Sequence, residues 1–123
     1  MMPNTPDVQV RRVYEPAESD DGARVLVDRL WPRGVSKDDA QLDEWCKQVA
    51  PSTELRKWYS HDPAKFDEFA RRYRAELKVC EQAEAVRHLR GLAVGRRLTL
   101  LTGTKDATIS EAAVLADLLK SRR

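Results

Sequence analysis

Charged and aromatic side chains are concentrated where an apolar segment ends. Residues 24–30 begin as a strand-like run, and four chemically capable side chains then fall within six positions. Arg29 and Arg33 are predicted to bind a ligand, because guanidinium groups hold phosphate or carboxylate in a bidentate manner. Trp31 is predicted to stack on the ligand. Asp28 is predicted to orient an arginine or to act as a catalytic base. The pattern therefore predicts a site for a small anion.

A second polar segment, Thr-Gly-Thr-Lys-Asp at residues 102–106, follows an apolar run and precedes a predicted helix. Lys105 would add positive charge, and the N–H groups near Gly103 and at the helix N-terminus would add partial positive charge. The segment has one glycine and lacks the spacing of a Walker phosphate-binding loop. No cofactor is therefore expected.

His61 is one of only two histidines in the chain. An imidazole with an ordinary pKa of about 6.5 suits acid–base chemistry, so His61 is the second candidate catalytic residue. Neither a Ser-His-Asp order nor the spacing of metal ligands is present, and no metal site is expected.

Structural roles are equally compatible with these residues. Asp28 and an arginine can form an ion pair that closes the strand-to-loop turn. Trp31 can anchor the core beneath the first helix. His61 can simply precede a helix N-cap, and Lys105 can belong to a solvated loop.

Three strands and a series of helices are needed to position these residues. Alternating or continuous apolar residues predict strands over residues 8–14, 24–30 and 96–103. Apolar spacing and capping residues predict helices over residues 36–49, 53–59, from Asp62 to about Leu89, and after Thr108 or Ser110. The two cysteines, Cys46 and Cys80, are predicted to be small core residues on these helices.

The order of the elements predicts the architecture. The helical connection between the second and third strands favours a parallel pair with a right-handed crossover. We expect an α/β fold with a small three- or four-stranded, mainly parallel sheet flanked by helices. Residues 8–123 form its single domain, after a flexible N-terminus at residues 1–7. Because ligands bind at the carboxyl ends of such strands, residues 28–33 and 102–106 are predicted to meet there.

Composition limits the classes of function. The chain has 123 residues, 41% of them hydrophobic and 34% charged, and Lys plus Arg (22) nearly balances Asp plus Glu (20), with a formal net charge of +2. A nucleic-acid binder usually has a strong basic excess, so nucleic acid is an unlikely partner. No signal peptide or membrane-length apolar run is seen, which predicts a cytoplasmic protein. The oligomeric state stays open.

Several motifs resemble a known family. The motifs lie in residues 25–37, 43–45, 50–58 and 61–63. In this order they resemble the domain of unknown function 488, in its short YeaO-like branch, and the resemblance extends from about Val10 to Leu119. It implies a small bacterial cytoplasmic α/β protein, and it implies no established reaction. Ile109 stands where relatives carry a histidine, so a mechanism that uses this histidine is not expected here.

Three functions follow as hypotheses. The first is a small protein that binds the anionic group of a phosphate- or carboxylate-bearing metabolite, either by binding alone or as an enzyme. The second is a nucleic-acid-associated regulator with a basic arginine face, which the interleaved acids oppose. The third is a protein-interaction module whose exposed aromatic residues, Trp58 and Tyr59, mark a partner surface.

Overall fold

Four parallel strands form one sheet in the order β1-β4-β2-β3. They are β1 (Val8–Arg12), β2 (Ala23–Leu26), β3 (Glu44–Trp45) and β4 (Leu98–Thr102). The computed structural model describes residues 7–120, with the side chain of Cys80 set aside. The α/β prediction and the parallel pairing of the second and third predicted strands, now β2 and β4, are confirmed.

The central strands are buried on both faces, which explains their consecutive apolar residues. Because successive side chains point to opposite faces of a strand, Val25 and Leu100 enter the larger core, whereas Leu26 and Leu101 enter a smaller one. The sheet is thus covered on both sides.

Five helices surround the sheet. They are α1 (Lys37–Ala40), α2 (Thr53–Tyr59), α3 (Phe66–Glu76), α4 (Cys80–Leu92) and α5 (Glu111–Lys120). Short 3-10 turns cover Lys47–Val49, Pro63–Lys65 and Ala107–Ile109. Apolar residues of α2 to α5 build the larger core, and Ala40 of α1 joins the smaller one. No helix within residues 7–120 is long and apolar enough to cross a bilayer.

The predicted helix over residues 36–49 is wrong beyond its first turn. Ser36 caps α1 as expected, but Gln41 adopts a left-handed conformation (φ 48°) that ends the helix. The next residues pair with β2 as the edge strand β3. Leu42 and Trp45 then pack on the smaller core, whereas Cys46 and Val49 pack on the larger one. One helical face cannot serve both sides of a sheet, so the chain becomes extended.

The predicted helix from Asp62 to about Leu89 is divided into α3 and α4, because Val79 between them is extended (φ −112°, ψ 130°). The other boundaries differ mainly at strand ends. The predicted strands run one to four residues beyond the observed ones, because pairing of β2 ends where the Val27 N–H donates to the Leu101 carbonyl. Helix α2 and the cap at Asp62 are as predicted. Residues 1–6 of the predicted flexible N-terminus, and the side chain of Cys80, lie outside the described residues. Asp7 is described, and its carbonyl accepts a hydrogen bond from the Leu98 N–H.

Candidate ligand-binding site

A pocket of about 160 Å³ lies where β2 and β4 end. Its polar lining includes Asp28, Arg29, Arg56, His61, Ser110 and Glu111. Its apolar wall includes Leu30, Ala50, Pro51, Tyr59 and Phe69. The position agrees with the rule that ligands bind at the carboxyl ends of parallel strands.

Asp28 links the ends of the two central strands. Its Oδ2 accepts a hydrogen bond from the Gly103 N–H at 2.8 Å, and its Oδ1 lies 2.8 Å from the Thr102 hydroxyl. A side chain at Gly103 would begin 3.3 Å from this Oδ2 and 3.2 Å from Pro32 Cβ, so the close approach favours glycine. Within the described residues, no lysine or arginine lies at ion-pair distance from Asp28. The structural role of this carboxylate is therefore to accept hydrogen bonds from neutral donors rather than to form an ion pair with an arginine.

Glu111, the first residue of α5, faces the carboxyl group of Asp28. Burial, a hydrogen bond to Asp28 and the charge of that carboxylate raise the pKa of Glu111 well above its ordinary value. Its Oε2 also lies 3.4 Å from the Thr102 hydroxyl. Glu111 therefore keeps its proton to a higher pH than an exposed glutamate does, and its protonated carboxyl group can donate to Asp28.

Sequence reasoning did not single out Glu111. An acid directly after a capping serine is common at helix N-termini, where it interacts favourably with the helix dipole. Ser110 followed by Glu111 thus indicates a helix cap. This pattern does not predict that the Glu111 carboxyl group lies beside Asp28.

Arg29 lines this pocket and has one unsatisfied buried donor. Its Nη2 donates to the Pro51 carbonyl at 3.2 Å, whereas its Nε is buried and has no hydrogen-bond partner among the described residues. A buried donor without a partner is costly, so a ligand that accepts from it gains binding energy.

His61 and Arg56 line the same pocket with exposed side chains. His61 (φ 56°) and the preceding Ser60 (φ 48°) both adopt left-handed backbone conformations where α2 ends. The turn places the imidazole next to Tyr59, with ring centroids 6.0 Å apart. Asp62 then caps the next turn, as predicted, by accepting from the Ala64 N–H. His61 therefore both precedes a cap and contributes to the pocket.

Trp31 belongs to the smaller core. Its indole N–H donates to the Val35 carbonyl at 2.7 Å, and its ring packs edge-on against Trp45 with centroids 5.2 Å apart. It does not line the pocket beside Asp28.

Arg33 and Lys105 also lie outside the pocket lining. The Arg33 side chain is exposed, and its carbonyl accepts a hydrogen bond from the Tyr14 hydroxyl. Lys105 is exposed in a neighbouring hollow that shares His61 and Thr104 with the pocket. The structure thus brings together Asp28, Arg29 and His61, with Lys105 adjacent.

Tyr59 is buried, so the prediction that it is an exposed contact residue is wrong. Its hydroxyl donates to the Ile109 carbonyl at 2.7 Å, and its ring stacks on Phe69 with centroids 4.2 Å apart. Burial raises the pKa of this phenol. The neighbouring Trp58 is half-buried beneath the guanidinium of Arg72, 4.2 Å from the ring centroid. The guanidinium of Arg72 therefore covers Trp58, and Tyr59 lies in the core, so neither ring is freely exposed to a partner.

One acidic cluster within residues 7–120 has the spacing of metal ligands. It consists of Glu18, Asp20 and Asp21, at the opposite end of β2 from Asp28. Asp21 already accepts from the guanidinium groups of Arg11 and Arg24. These arginines neutralise the buried carboxylate of the cluster, so its spacing does not require a metal ion.

Comparisons with known proteins identify the family. A family model described as "Inactive DUF488-N3 subclade" matches residues 7–123. The chain is 52% identical over 115 residues to the uncharacterized protein Rv3073c of Mycobacterium tuberculosis H37Rv, covering 94% of this chain and 95% of the relative. It is 48% identical over 115 residues to the uncharacterized protein YeaO of Escherichia coli K12, covering 94% and 98%. No solved structure is significantly similar. The chain therefore belongs to the family of the domain of unknown function 488 (DUF488).

Proposed function

We propose that the pocket at the ends of β2 and β4 binds a small ligand through a phosphate or carboxylate group. The observation that carries the proposal is the buried Nε of Arg29, which faces no acceptor among the described residues. An oxygen of the ligand would become its partner once the side chain turns this nitrogen toward the pocket. An arginine suits this role because its charge persists throughout the physiological pH range.

The charge of the lining supports an anion. Arg29, Arg56 and His61 contribute cationic or protonatable groups, and Lys105 lies in the adjoining hollow. Against them stand Asp28 and Glu111, and the raised pKa of Glu111 favours its neutral form. At a pH where Glu111 is protonated, the two arginines outnumber the single carboxylate of the pair.

The proposal is one of binding, without a reaction. The matching family model is described as inactive, and the resemblance of the sequence motifs implies a histidine that this chain lacks near Ile109. The catalytic roles suggested for Asp28 and His61 stay predictions. Asp28 already accepts hydrogen bonds that link two strands, which is sufficient to account for its carboxylate.

The test is a titration of the protein and its Arg29→Ala variant, followed by NMR. Inorganic phosphate, acetate and a set of small carboxylates serve as probes. A charged hydrogen bond is worth about 1.5–3 kcal/mol, so we expect affinity to fall by roughly 10- to 100-fold. Arg96→Ala, which removes an exposed arginine before β4, is the matched control and should leave affinity unchanged. Equal affinities for the unaltered protein and Arg29→Ala would contradict the proposal.

Two further variants define the extent of the site. Arg33→Ala tests the ligand-binding role predicted from the sequence, and Lys105→Ala tests whether the ligand reaches the adjoining hollow. A loss as large as that of Arg29→Ala would extend the site to the exposed side chain concerned.

A further inference from the structure

We propose that the ligand is a small zwitterion of amino-acid size, with its carboxylate on Arg29 and its ammonium group beside Asp28 and Glu111. The inference rests on the proposed anion-binding function and adds a second charged group to the ligand. It assigns a role to each polar end of the pocket.

The carboxyl pair is a site for a positively charged donor. Asp28 and Glu111 both line the pocket, and within residues 7–120 no lysine or arginine lies at ion-pair distance from either. Both residues are only partly exposed, and charged groups that lose contact with water are normally paired. An ammonium group from the ligand would supply the missing cation and would share its three N–H donors among the surrounding oxygens.

The protein already uses both Asp28 oxygens, yet acceptor capacity remains. The Gly103 N–H and the Thr102 hydroxyl each lie beside one Asp28 oxygen, and protonated Glu111 is a third donor to this carboxylate. A carboxylate offers about four lone-pair sites, so capacity for at least one further donor remains. Glu111 keeps a carbonyl oxygen as an acceptor whether or not it is protonated. Ser110 Oγ, which donates to the Ala107 carbonyl, adds another oxygen to the lining.

The positively charged Arg29 lines the same pocket as the two carboxyl groups. Arg29 follows Asp28 directly in sequence, and its buried Nε requires an acceptor. A ligand with only an anionic group would satisfy Arg29 and leave the carboxyl pair without a cation. A ligand with only an amine would do the reverse. A molecule that carries both groups satisfies the two ends at once.

Size and surface favour a ligand with a small apolar side chain. The pocket of about 160 Å³ is close to a cavity of about 150 Å³ that holds one benzene molecule. Leu30, Pro51 and Phe69 contribute apolar surface to its wall. These dimensions fit a small aliphatic amino acid.

The experiment compares three amino acids with analogues that lack one charge. L-leucine, L-valine and L-alanine are titrated against the unaltered protein beside their deaminated acids and their decarboxylated amines. We expect at least one amino acid to bind about tenfold or more tightly than both of its analogues. Arg29→Ala should weaken the amino acid and its deaminated acid alike.

Asp28→Asn tests the carboxyl end of the site. We expect this variant to lower amino-acid affinity by about tenfold while the affinity of the deaminated acid changes little. A merely structural role would weaken both ligands equally, so the ratio of the two affinities is the readout. If the variant does not fold, the comparison of ligands on the unaltered protein decides alone.

The outcomes separate the two proposals. If phosphate or the deaminated acids bind in an Arg29-dependent manner and the amino group adds nothing, the zwitterion inference fails and the anion-binding function stands. If the amines bind as tightly as the amino acids, the zwitterion inference also fails. If no probe binds in an Arg29-dependent manner, both proposals fail.

Discussion

Two carboxyl groups at the pocket have different protein partners. Asp28 accepts hydrogen bonds from Gly103 and lies within hydrogen-bonding distance of the Thr102 hydroxyl, so its carboxylate has a structural role. Glu111 lies beside it, and burial together with that neighbouring charge raises the pKa of Glu111. Through this raised pKa, Glu111 makes the stability of the fold depend on pH.

Glu111→Gln should make stability less dependent on pH. The pKa of Glu111 is higher in the folded state, so above its ordinary value of 4.5 the unfolded chain loses this proton first. The free energy of unfolding therefore falls as pH rises, by up to about 1.4 kcal/mol per pH unit, until the folded pKa is passed. Glutamine does not titrate, so the free energy of unfolding of the variant rises relative to that of the unaltered protein as pH increases across this window.

Urea unfolding at a series of pH values measures this difference. Glu84→Gln, at an exposed helix position, controls for loss of a surface charge and should follow the unaltered protein. If the Glu111→Gln and unaltered curves ran parallel with pH, the raised pKa of Glu111 would be wrong.

At the scale of the elements, strand β2 is fixed at both of its ends. Asp28 holds the carboxyl end to β4. At the other end Gly22 (φ +68°) lies against β4, where an added Cβ would be 2.1 Å from the Arg97 carbonyl oxygen. The same carbonyl accepts a hydrogen bond from the Ala23 N–H at 2.9 Å, so no side chain fits without moving the strands apart.

Gly22→Ala should therefore destabilise the protein strongly. Left-handed strain and overpacking each cost about 1–3 kcal/mol, and here both apply. Gly34→Ala is the matched control, because Gly34 (φ +76°) has no atom within 4 Å of an added Cβ and incurs the backbone strain alone. Chemical denaturation measures both variants. If Gly22→Ala and Gly34→Ala lost similar amounts of stability, Gly22 would not be packed against the Arg97 carbonyl.

The edge strand β3 shows why an element can form where the sequence pattern does not predict it. The spacing of Leu42, Trp45, Cys46 and Val49 is that of a helix, and their side chains nevertheless divide between two cores. A two-residue strand gives too short a pattern to compete with such spacing. Its existence depends on β2 as a partner, and this contact is non-local.

At the scale of the whole molecule, the two ends of the sheet differ in their chemistry. The carboxyl ends hold the open pocket. The amino ends hold a buried network in which Asp21 accepts from Arg24, Arg11 and Gln9. Burial disfavours the charge on Asp21, but the Glu18 N–H and the arginines lower its pKa below the ordinary value. The network joins β1, β2 and the loop between them, so it contributes stability at a distance from the ligand.

Asp21→Ala should reduce stability and leave ligand affinity unchanged. Removal of Asp21 leaves the buried guanidinium of Arg24 without its carboxylate, and loss of one partner of a buried pair costs about 3–5 kcal/mol. Thermal unfolding measures the loss, and probe titration at low temperature measures affinity. Glu68→Ala, which breaks exposed ion pairs, should leave the thermal midpoint nearly unchanged. A small effect of Asp21→Ala would mean that solvent or other groups replace its contacts.

The sequence by itself determined the α/β class, the buried central strands, several helix caps and the family. These properties depend on local patterns: continuous apolar runs, capping residues such as Ser52 and Asp62, and motifs in a fixed order. The sequence also predicted that the ends of β2 and β4 would meet, because chain order and the parallel crossover require it. Asp28 and Arg29 were predicted in this way, whereas His61 was predicted from its residue type.

Only the tertiary structure decided which side chains share the pocket. Trp31 turns into the smaller core, the Arg33 side chain remains exposed, and Glu111 arrives beside Asp28 from a helix that begins 83 residues later in the chain. The direction of each side chain depends on which face of its element is buried and on what packs against it. Those contacts join residues distant in sequence, so no local pattern contains them.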